Sequence, residues 1–296
     1  MRIFYLLRNQ KHTIGVELEK GMVDFSAALR TYFFIKQNRL MYQHESPFDL
    51  IQAGLLDEDF MLRILDYLES HDLWNQFIIT DAYKILPPVP QTGKIICLGR
   101  NYAAHAKESG SEIPTEPIIF VKTKSTVIGP EEKILLPEGV GRVDHEIELA
   151  VVIGKRASRV SKDEAFNFVA GYTILNDVTA RAMQQQDIEF RKPWYRSKNF
   201  DTFGPMGPCL ITQREIGIPV DLELTLRVNG EIRQHSNSRN MIFDIPTLIE
   251  YISQGITLEP GDLISTGTPE GISELHTGDV VEAQIEKIGV LRNFVA

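Results

Sequence analysis

The chain has 296 residues, of which 43% are hydrophobic and 24% are charged, and its formal net charge at pH 7 is −9. This composition is typical of a soluble globular protein and allows one large domain, or a large and a small one. No cluster of Lys and Arg stands out, which argues against nucleic acid and anionic membrane as partners. Cys97 and Cys209 form no CxxC pair, and no apolar run is long enough to cross a membrane. We therefore expect a cytoplasmic protein that acts on a small molecule.

The first 85 residues are predicted to form a small N-terminal α/β module. Four apolar residues in it follow the i, i+3, i+4, i+7 spacing of an amphipathic helix: Met61, Ile64, Leu65 and Leu68. Residues 86–93 are rich in proline and are interpreted as a stiff linker. Residues 94–296 then form the larger domain.

Strand signals outnumber helix signals in the larger domain. Short apolar runs at 94–98, 118–122 and 149–153 indicate strands. Residues 161–171 have the pattern of a capped helix, and the apolar stripe before Gly255 indicates another. Alternating runs occur at 221–228, before the hairpin signal Asn229-Gly230, and at 280–288. These patterns predict an α+β fold around a mixed, mainly antiparallel β-sandwich.

Acidic residues occur at every second position where the 149–153 strand begins. Because alternate side chains of a strand point to one face, Glu146 and Glu148 are expected to project together. Two carboxylates on one face repel each other and lose hydration unless a cation lies between them. The pair is interpreted as part of a divalent-metal site, with Asp144 as a supporting group. A solvated strand end with a charged outer face would show the same spacing.

Asp177 is the candidate third ligand, because it follows an apolar strand and precedes a predicted helix. An Asp in that position can equally be the N-cap of the helix. Three carboxylates suit Mg²⁺ or Mn²⁺. If the helix begins at Asp177, Arg181 and Gln184 lie on the same face and can bind an anionic substrate, or can simply face solvent.

Three further patterns carry possible chemistry. His105 and Glu108 have i, i+3 spacing, which can make a general base for water or a solvated surface pair. Lys198 lies among aromatic residues, where a partly buried ammonium can stabilise an oxyanion or snorkel to the surface. Gly267 and Thr268 belong to a glycine turn that can hold an anion or serve only as a tight turn.

Five motifs in this order resemble the fumarylacetoacetate hydrolase superfamily, over roughly residues 94–296. They are Gly99-Arg100-Asn101-Tyr102 with His105 and Glu108, the Glu146-x-Glu148 pair, Asn176-Asp177-Val178-Thr179-Ala180-Arg181, Lys198 with Phe200-Asp201-Thr202, and Thr266-Gly267-Thr268-Pro269. The resemblance implies the β-sandwich roll of that family and a homodimer. Within the family it points to the bacterial acylpyruvases and oxaloacetate decarboxylases.

The resemblance also implies roles for individual residues. Mg²⁺ or Mn²⁺ would be held by Glu146, Glu148 and Asp177. The catalytic groups would be His105 and Glu108, on a lid that orders over bound substrate, with Lys198 at the reacting oxygen. The expected substrate contacts are Arg100, Tyr102, Arg181, Gln184, Gly267 and Thr268.

The implied substrate is a small 2-oxo or 2,4-dioxo acid whose carboxylate and keto oxygens chelate the cation, which then acts as an electron sink for an enolate. Acylpyruvate hydrolysis and oxaloacetate decarboxylation rank together first. The alternative is an isomerase or hydratase of an unsaturated oxo-diacid in aromatic catabolism, of the 2-hydroxyhepta-2,4-diene-1,7-dioate isomerase type. A catalytically silent metabolite-binding or scaffold protein ranks last. Ala182, where the family often has Asp, and the extra charge of Arg196 leave the substrate open.

Overall fold

The structure is a computed structural model that describes residues 1–37, 44–108 and 110–296. The strands are β1 Arg2–Arg8, β2 Lys11–Leu18, β3 Gly21–Asp24, β4 Lys84–Leu86, β5 Ile95–Gly99, β6 Ile118–Lys122, β7 Val127–Ile128, β8 Lys133–Ile134, β9 Val143–Asp144, β10 Ile147–Ile153, β11 Val169–Asn176, β12 Thr179–Ala180, β13 Gly204–Thr212, β14 Glu223–Val228, β15 Glu231–Asn237, β16 Leu263–Ser265, β17 Val280–Ile285 and β18 Gly289–Val295. The α-helices are α1 Phe25–Gln37, α2 Pro47–Gln52, α3 Glu58–Ser70, α4 Ala103–Glu108, α5 Arg181–Glu189, α6 Tyr195–Lys198, α7 Gln213–Ile216 and α8 Ile245–Gly255.

The described strands form three sheets. The largest has the order β3-β2-β1-β13-β11-β10-β16-β5-β6, with β4 beside β1 and β7 beside β13. The second has the order β15-β14-β17-β18-β8, and β9 pairs with β12 in a small third sheet. Within the described residues, the parallel pairs are β5 with β16, β7 with β13 and β8 with β18, and the others are antiparallel. The predicted α+β fold with mainly antiparallel strands is confirmed.

Strand β10 lies at the centre of the molecule and is buried along its whole length. Residues on one of its faces, such as Leu149 and Val151, pack against the second sheet. Ala150 and Val152 point the other way and pack in a core shared with the N-terminal helices. Burial on both faces explains why this strand is a continuous apolar run rather than an alternating one.

The N-terminal segment extends the large sheet, because β1 pairs with β13 in an antiparallel register in which Ile3 lies opposite Leu210. Helix α3 covers the face of the sheet that carries Ala150. The helix predicted from Met61, Ile64, Leu65 and Leu68 is confirmed, and all four side chains are buried. Within the described residues, no helix has both the length and the apolar character that a membrane crossing requires.

Two other local predictions are confirmed and one is wrong. Asn229 and Gly230, with φ of 53° and 81°, join β14 to β15 as a hairpin, and α8 ends at Gly255. The capped helix predicted for 161–171 is instead a 3-10 helix, Lys162–Phe168, that continues directly into β11. The Ser161 hydroxyl bonds to the Glu164 side chain and caps no backbone N–H.

Gly171 tests how tightly the large sheet is built. A Cβ atom on this residue of β11 would lie 2.1 Å from the carbonyl oxygen of Ile211 in β13, and backbone atoms on both sides resist movement. We expect Gly171→Ala to lower the free energy of unfolding by about 1–3 kcal/mol, measured by chemical denaturation. Gly255→Ala is the matched control, because no heavy atom lies within 4 Å of the added Cβ. Equal stability of the two variants would contradict this description of the sheet.

Candidate active site

Three acidic side chains meet where β10 begins and β11 ends. Ile147 pairs with Asn176 across these strands. The Asp177 N–H donates to the Glu146 carbonyl at 2.8 Å, and the Asn176 side chain accepts from the Glu146 N–H at 2.8 Å. One oxygen from each of Glu146, Glu148 and Asp177 lies within 4.8 Å of the other two, and all three residues are buried. The strand pairing therefore brings the three predicted metal ligands together.

Cationic side chains from three other elements compensate these acids. The Lys198 ammonium, at the end of α6, lies 2.9 Å from Glu146 Oε2 and 2.5 Å from Asp177 Oδ2. Arg181, at the start of α5, donates to Glu146 Oε1. Lys122, at the end of β6, lies 2.7 Å from Asp177 Oδ1 and is fully buried. A role for Lys122 in the site was not predicted from the sequence, because a Lys at the end of a strand is usually exposed.

The pKa values of Glu146, just before β10, and of Glu148, in β10, are shifted in opposite directions. Burial alone would raise the pKa of Glu146, but Lys198 and Arg181 hold that pKa well below its usual range. Burial, together with the charges of Asp177 and Glu146, raises the pKa of Glu148 well above its usual range. Of the two carboxyl groups, that of Glu148 is thus the one whose protonated form the site favours when no cation is bound.

These residues fit a hard divalent cation. The buried Oδ1 atom of Asp177 accepts no hydrogen bond of acceptable geometry from the described residues, although Lys122 lies close by. A cation would also offset the carboxylate repulsion that raises the pKa of Glu148. A donor set made of carboxylate oxygens alone suits Mg²⁺ or Mn²⁺ better than zinc.

A histidine and a glutamate lie beside the acidic cluster. His105 and Glu108 are both in α4, and His105 Nδ1 lies 3.3 Å from Glu108 Oε2. The N–H of Gly271 donates to Glu108 Oε1 at 3.0 Å, which fixes the carboxylate from the other side. Glu108 therefore orients the imidazole, and no hydrogen bond to the second ring nitrogen is found among the described residues, so that it can bind a substrate or a water molecule.

These groups open into a pocket of about 430 Å³, a volume that suits a small ligand. The predicted site residues that line it are Arg100, His105, Glu108, Glu146, Glu148, Arg181, Gln184, Lys198 and Thr268. Asp177, Tyr102 and Gly267 are not among the residues that line it. The apolar side chains of the lining are Leu98, Phe120, Ile188, Trp194 and Ile272.

The helix predicted after Asp177 is present and begins at Arg181, so the condition that it begins at Asp177 itself is not met. Thr179 and Ala180 instead form β12, which pairs with β9 and keeps the chain extended. Asp177 is therefore not an N-cap. Arg181 donates from Nε to the buried Asp144 at 2.9 Å, and its other nitrogens reach Glu146 and Gln184. The Arg181 guanidinium thus forms ion pairs with acidic residues of the site, Asp144 and Glu146.

The glycine turn after β16 fixes the side chain of Glu148, one of the candidate metal ligands. The Ser265 hydroxyl and the Gly267 N–H donate to Glu148 Oε2 at 2.5 and 3.0 Å. Gly267 has a φ of 91°, which glycine adopts without strain. The Thr268 hydroxyl donates to the Ile147 carbonyl at 2.9 Å while lining the pocket.

The segment before α4 is anchored by buried groups. The Asn101 side chain donates to the carbonyls of Thr266 and Phe243 at 2.8 and 3.0 Å, which ties this segment to the glycine turn. The Tyr102 hydroxyl is buried without a hydrogen-bond partner among the described residues, and burial raises its pKa. Arg100, next to them, is the residue of this segment that reaches the pocket with its charge.

Comparison with known proteins gives the context of this site. The model of the Fumarylacetoacetate (FAA) hydrolase C-terminal family matches residues 94–296. A 2,4-didehydro-3-deoxy-L-rhamnonate hydrolase from Sphingomonas sp. (strain SKA58) is 46% identical over 217 residues, which are 71% of this chain and 75% of that protein. A mitochondrial oxaloacetate tautomerase from Bos taurus is 44% identical over 217 residues, 71% of this chain and 68% of that protein.

Solved structures agree with these matches. The fumarylacetoacetate hydrolase from the psychrophilic Exiguobacterium antarcticum has a TM-score of 0.80 and 31% identity, over 100% of this chain and 99% of that chain. A fumarylpyruvate hydrolase from Pseudomonas aeruginosa, in complex with Mn²⁺ and pyruvate, has a TM-score of 0.67 and 32% identity, over 74% of this chain and 94% of that chain. The chain therefore belongs to the fumarylacetoacetate hydrolase family.

Proposed function

We propose that this protein is a divalent-metal-dependent enzyme that cleaves a carbon–carbon bond of a small 2,4-dioxo acid, as in acylpyruvate hydrolysis. The observation that carries the proposal is the buried three-carboxylate cluster, two of whose members, Glu146 and Glu148, line the same pocket as the His105–Glu108 pair. Decarboxylation of oxaloacetate needs no water nucleophile, so a base prepared for water favours hydrolysis over it. The relative solved with Mn²⁺ and pyruvate supports the same substrate class.

Glu146, Glu148 and Asp177 would hold the cation, which is Mg²⁺ or Mn²⁺. When bound, it supplies Lewis-acid polarisation of the carboxylate and keto oxygens of the substrate. Lys198 adds a positive charge at the pocket wall, where it can stabilise negative charge that develops on a reacting oxygen. Burial alone would lower the pKa of Lys198, but Asp177 and Glu146 raise it above its usual value, so the side chain remains an ammonium.

His105 is the base of the proposed reaction. Because Nδ1 faces Glu108, the Nε2 atom accepts the proton of a water molecule whose oxygen attacks C4 of the dioxo acid. The C3–C4 bond then breaks, its electron pair passes to C3 as the enolate of pyruvate, and the acyl part leaves as a carboxylic acid. Protonation of C3 completes the formation of pyruvate.

Tautomerisation of oxaloacetate is the second candidate, because a relative with 44% identity carries this name. The reaction moves a proton between C3 and the keto oxygen and breaks no carbon–carbon bond. The same base beside the same pocket can transfer that proton. The two candidates thus differ in whether water enters the reaction.

The first expected outcome is metal-dependent release of pyruvate. Purified protein incubated with acetylpyruvate should form pyruvate with Mg²⁺ or Mn²⁺ and none with EDTA, because the substrate loses its electrophilic activation. Oxaloacetate should be tested in parallel, with its tautomer content followed by ultraviolet absorbance. Cation binding without pyruvate release from acetylpyruvate would contradict the proposed cleavage.

The second expected outcome separates hydrolysis from reactions that use no water. His105→Ala should lower the rate of acetylpyruvate hydrolysis by about 10²–10⁴-fold, the usual contribution of a general base. Any oxaloacetate decarboxylation should fall much less. His276→Ala, at an exposed histidine outside the pocket, is the control. An equal loss of both activities in His105→Ala would argue against a specific role in water activation.

The third expected outcome is that binding of the cation releases a proton from the site. Because the pKa of Glu148 is raised, the cation must displace a proton at pH values where an ordinary glutamic acid is already ionised. Apparent affinity for Mn²⁺ should therefore increase with pH until that raised pKa is passed. Calorimetry in two buffers with different ionisation enthalpies measures the released proton directly. Glu148→Gln should abolish the release, and a wild-type protein that releases none would disprove the assignment.

A further inference from the structure

We propose that Gln234 is a positioning residue that holds the glycine turn, residues 266–271, against strand β10 of the candidate metal site. Through this turn, Gln234 sets where Thr268 and Glu108 lie relative to the acidic cluster. Gln234 itself does not line the pocket. The inference rests on the proposed function, since the groups that Gln234 positions belong to the proposed site.

Gln234 belongs to β15 in the second sheet and is fully buried. Its Nε2 atom donates to the Thr268 hydroxyl and to the Pro269 carbonyl, both at 2.8 Å. Its Oε1 atom accepts from the Ile147 N–H at 3.1 Å. Because a carbonyl only accepts and a backbone N–H only donates, these partners fix which end of the amide faces each of them. One buried side chain therefore joins the glycine turn to β10.

A buried histidine also bonds to this amide. His145 Nδ1 lies 3.0 Å from Gln234 Oε1, which can only accept, so Nδ1 carries a proton. The other ring nitrogen of His145 lies 2.8 Å from the Ser273 hydroxyl, just beyond the turn. The amide thus uses two donors and two acceptor positions, and a buried polar network that is fully hydrogen-bonded is rigid. Removal of the amide would deprive the Ile147 N–H and the Pro269 carbonyl of these bonds.

The glycine turn contacts both parts of the site. The Gly267 N–H donates to Glu148 Oε2 at 3.0 Å, and the Gly271 N–H donates to Glu108 Oε1 at 3.0 Å. A displacement of the turn would therefore move Glu108, and the imidazole that it orients, relative to the acidic cluster. Misplacement of reacting groups by about 1 Å can lower a rate by about 10²-fold. The position of the turn thus bears directly on the rate of the reaction.

The turn also lies against the backbone of β15 at Gly271. A Cβ atom on Gly271 would lie 2.0 Å from the carbonyl oxygen of Arg233, the residue before Gln234. Gly271 has a φ of 94°, in the region that favours glycine. Two neighbouring residues of β15 therefore hold the turn, one through its side chain and one through its backbone. The second contact allows the turn to be displaced while Gln234 stays intact.

Gln234→Met tests the inference, because methionine keeps the length of the side chain and removes the amide. We expect kcat for acetylpyruvate to fall about 10- to 100-fold, as when a supporting hydrogen bond of a site is removed. The affinity for Mn²⁺, measured by calorimetry, should change much less, because the pairing of β10 with β11 still fixes the carboxylates. Amide hydrogen exchange, followed by mass spectrometry, should become faster in residues 266–273.

Asn293→Leu is the matched control for the loss of a buried amide. Asn293 is 1% exposed, lies in the same sheet and donates to the carbonyls of Gly129 and Glu132, and it does not line the pocket. This variant should lose stability but keep kcat and the exchange rate of residues 266–273. An unchanged kcat in Gln234→Met, or an equal fall in both variants, would overturn the inference.

Gly271→Ala displaces the same turn by a different route and decides the matter if Gln234→Met does not fold. Its matched control is Gly278→Ala, because Gly278 has a φ of 97° and no heavy atom lies within 4 Å of the added Cβ. The two variants therefore share the backbone strain and differ in the clash with β15. We expect a lower kcat and faster exchange of residues 266–273 in Gly271→Ala alone. Equal kcat in the two glycine variants would contradict the positioning role.

Hydrogen exchange separates this inference from the proposed function, because it needs no turnover. Faster exchange of residues 266–273 in Gln234→Met and Gly271→Ala, and not in their controls, would support the positioning of the turn even in a protein that does not cleave acetylpyruvate. That result would reject the proposed function alone. Cleavage of acetylpyruvate at the wild-type rate by both variants would keep the function and reject the positioning role.

Discussion

Three carboxylates buried side by side are the constraint on which the rest of the site depends. Buried charges are stable only when they are paired and hydrogen-bonded. The pairing of β10 with β11 fixes Glu146, Glu148 and Asp177, so the compensating cations must come from other elements. Lys122 and Lys198 arrive from the ends of β6 and α6, and Arg181 comes from the start of α5. The ends of these elements are thereby fixed around the cluster, and the substrate pocket is the space left in front of it.

The negative charges of the acidic cluster are compensated unequally by neighbouring cationic side chains. This inequality makes the cluster suitable for a bound cation. Glu146 receives two cationic partners, whereas Glu148 receives the neutral Ser265 hydroxyl and Gly267 N–H. A neutral donor does not offset burial and the repulsion from neighbouring carboxylates, so the pKa of Glu148 stays raised. Lys122 contributes from behind, where it also donates to the Lys198 carbonyl at 2.5 Å and so links the acid cluster to the backbone of Lys198.

The local periodicity of the sequence was sufficient to predict some features of the site and the fold. It was insufficient for features that depend on contacts between distant segments. The period of two along a strand predicted that Glu146 and Glu148 share a face, and the helical period predicted α3. The start of α5 at Arg181 could not be located from the sequence, because β12 depends on pairing with β9, a contact that no local pattern contains. Lys122 could have been noticed, since it alternates in phase with Phe120 on an apolar strand. Its burial, however, depends on Val178 and Lys198, which lie far away in sequence.

The pocket has a charge character opposite to that of the whole protein. The formal net charge of −9 would repel an anionic substrate, yet the lining carries four Lys and Arg side chains against Glu108, Glu146 and Glu148. Walls of low dielectric constant focus such a local excess toward the opening. The positive charges that face carboxylates are largely neutralised, so the field that an entering anion meets comes mainly from Arg100 and from a cation at the acidic cluster.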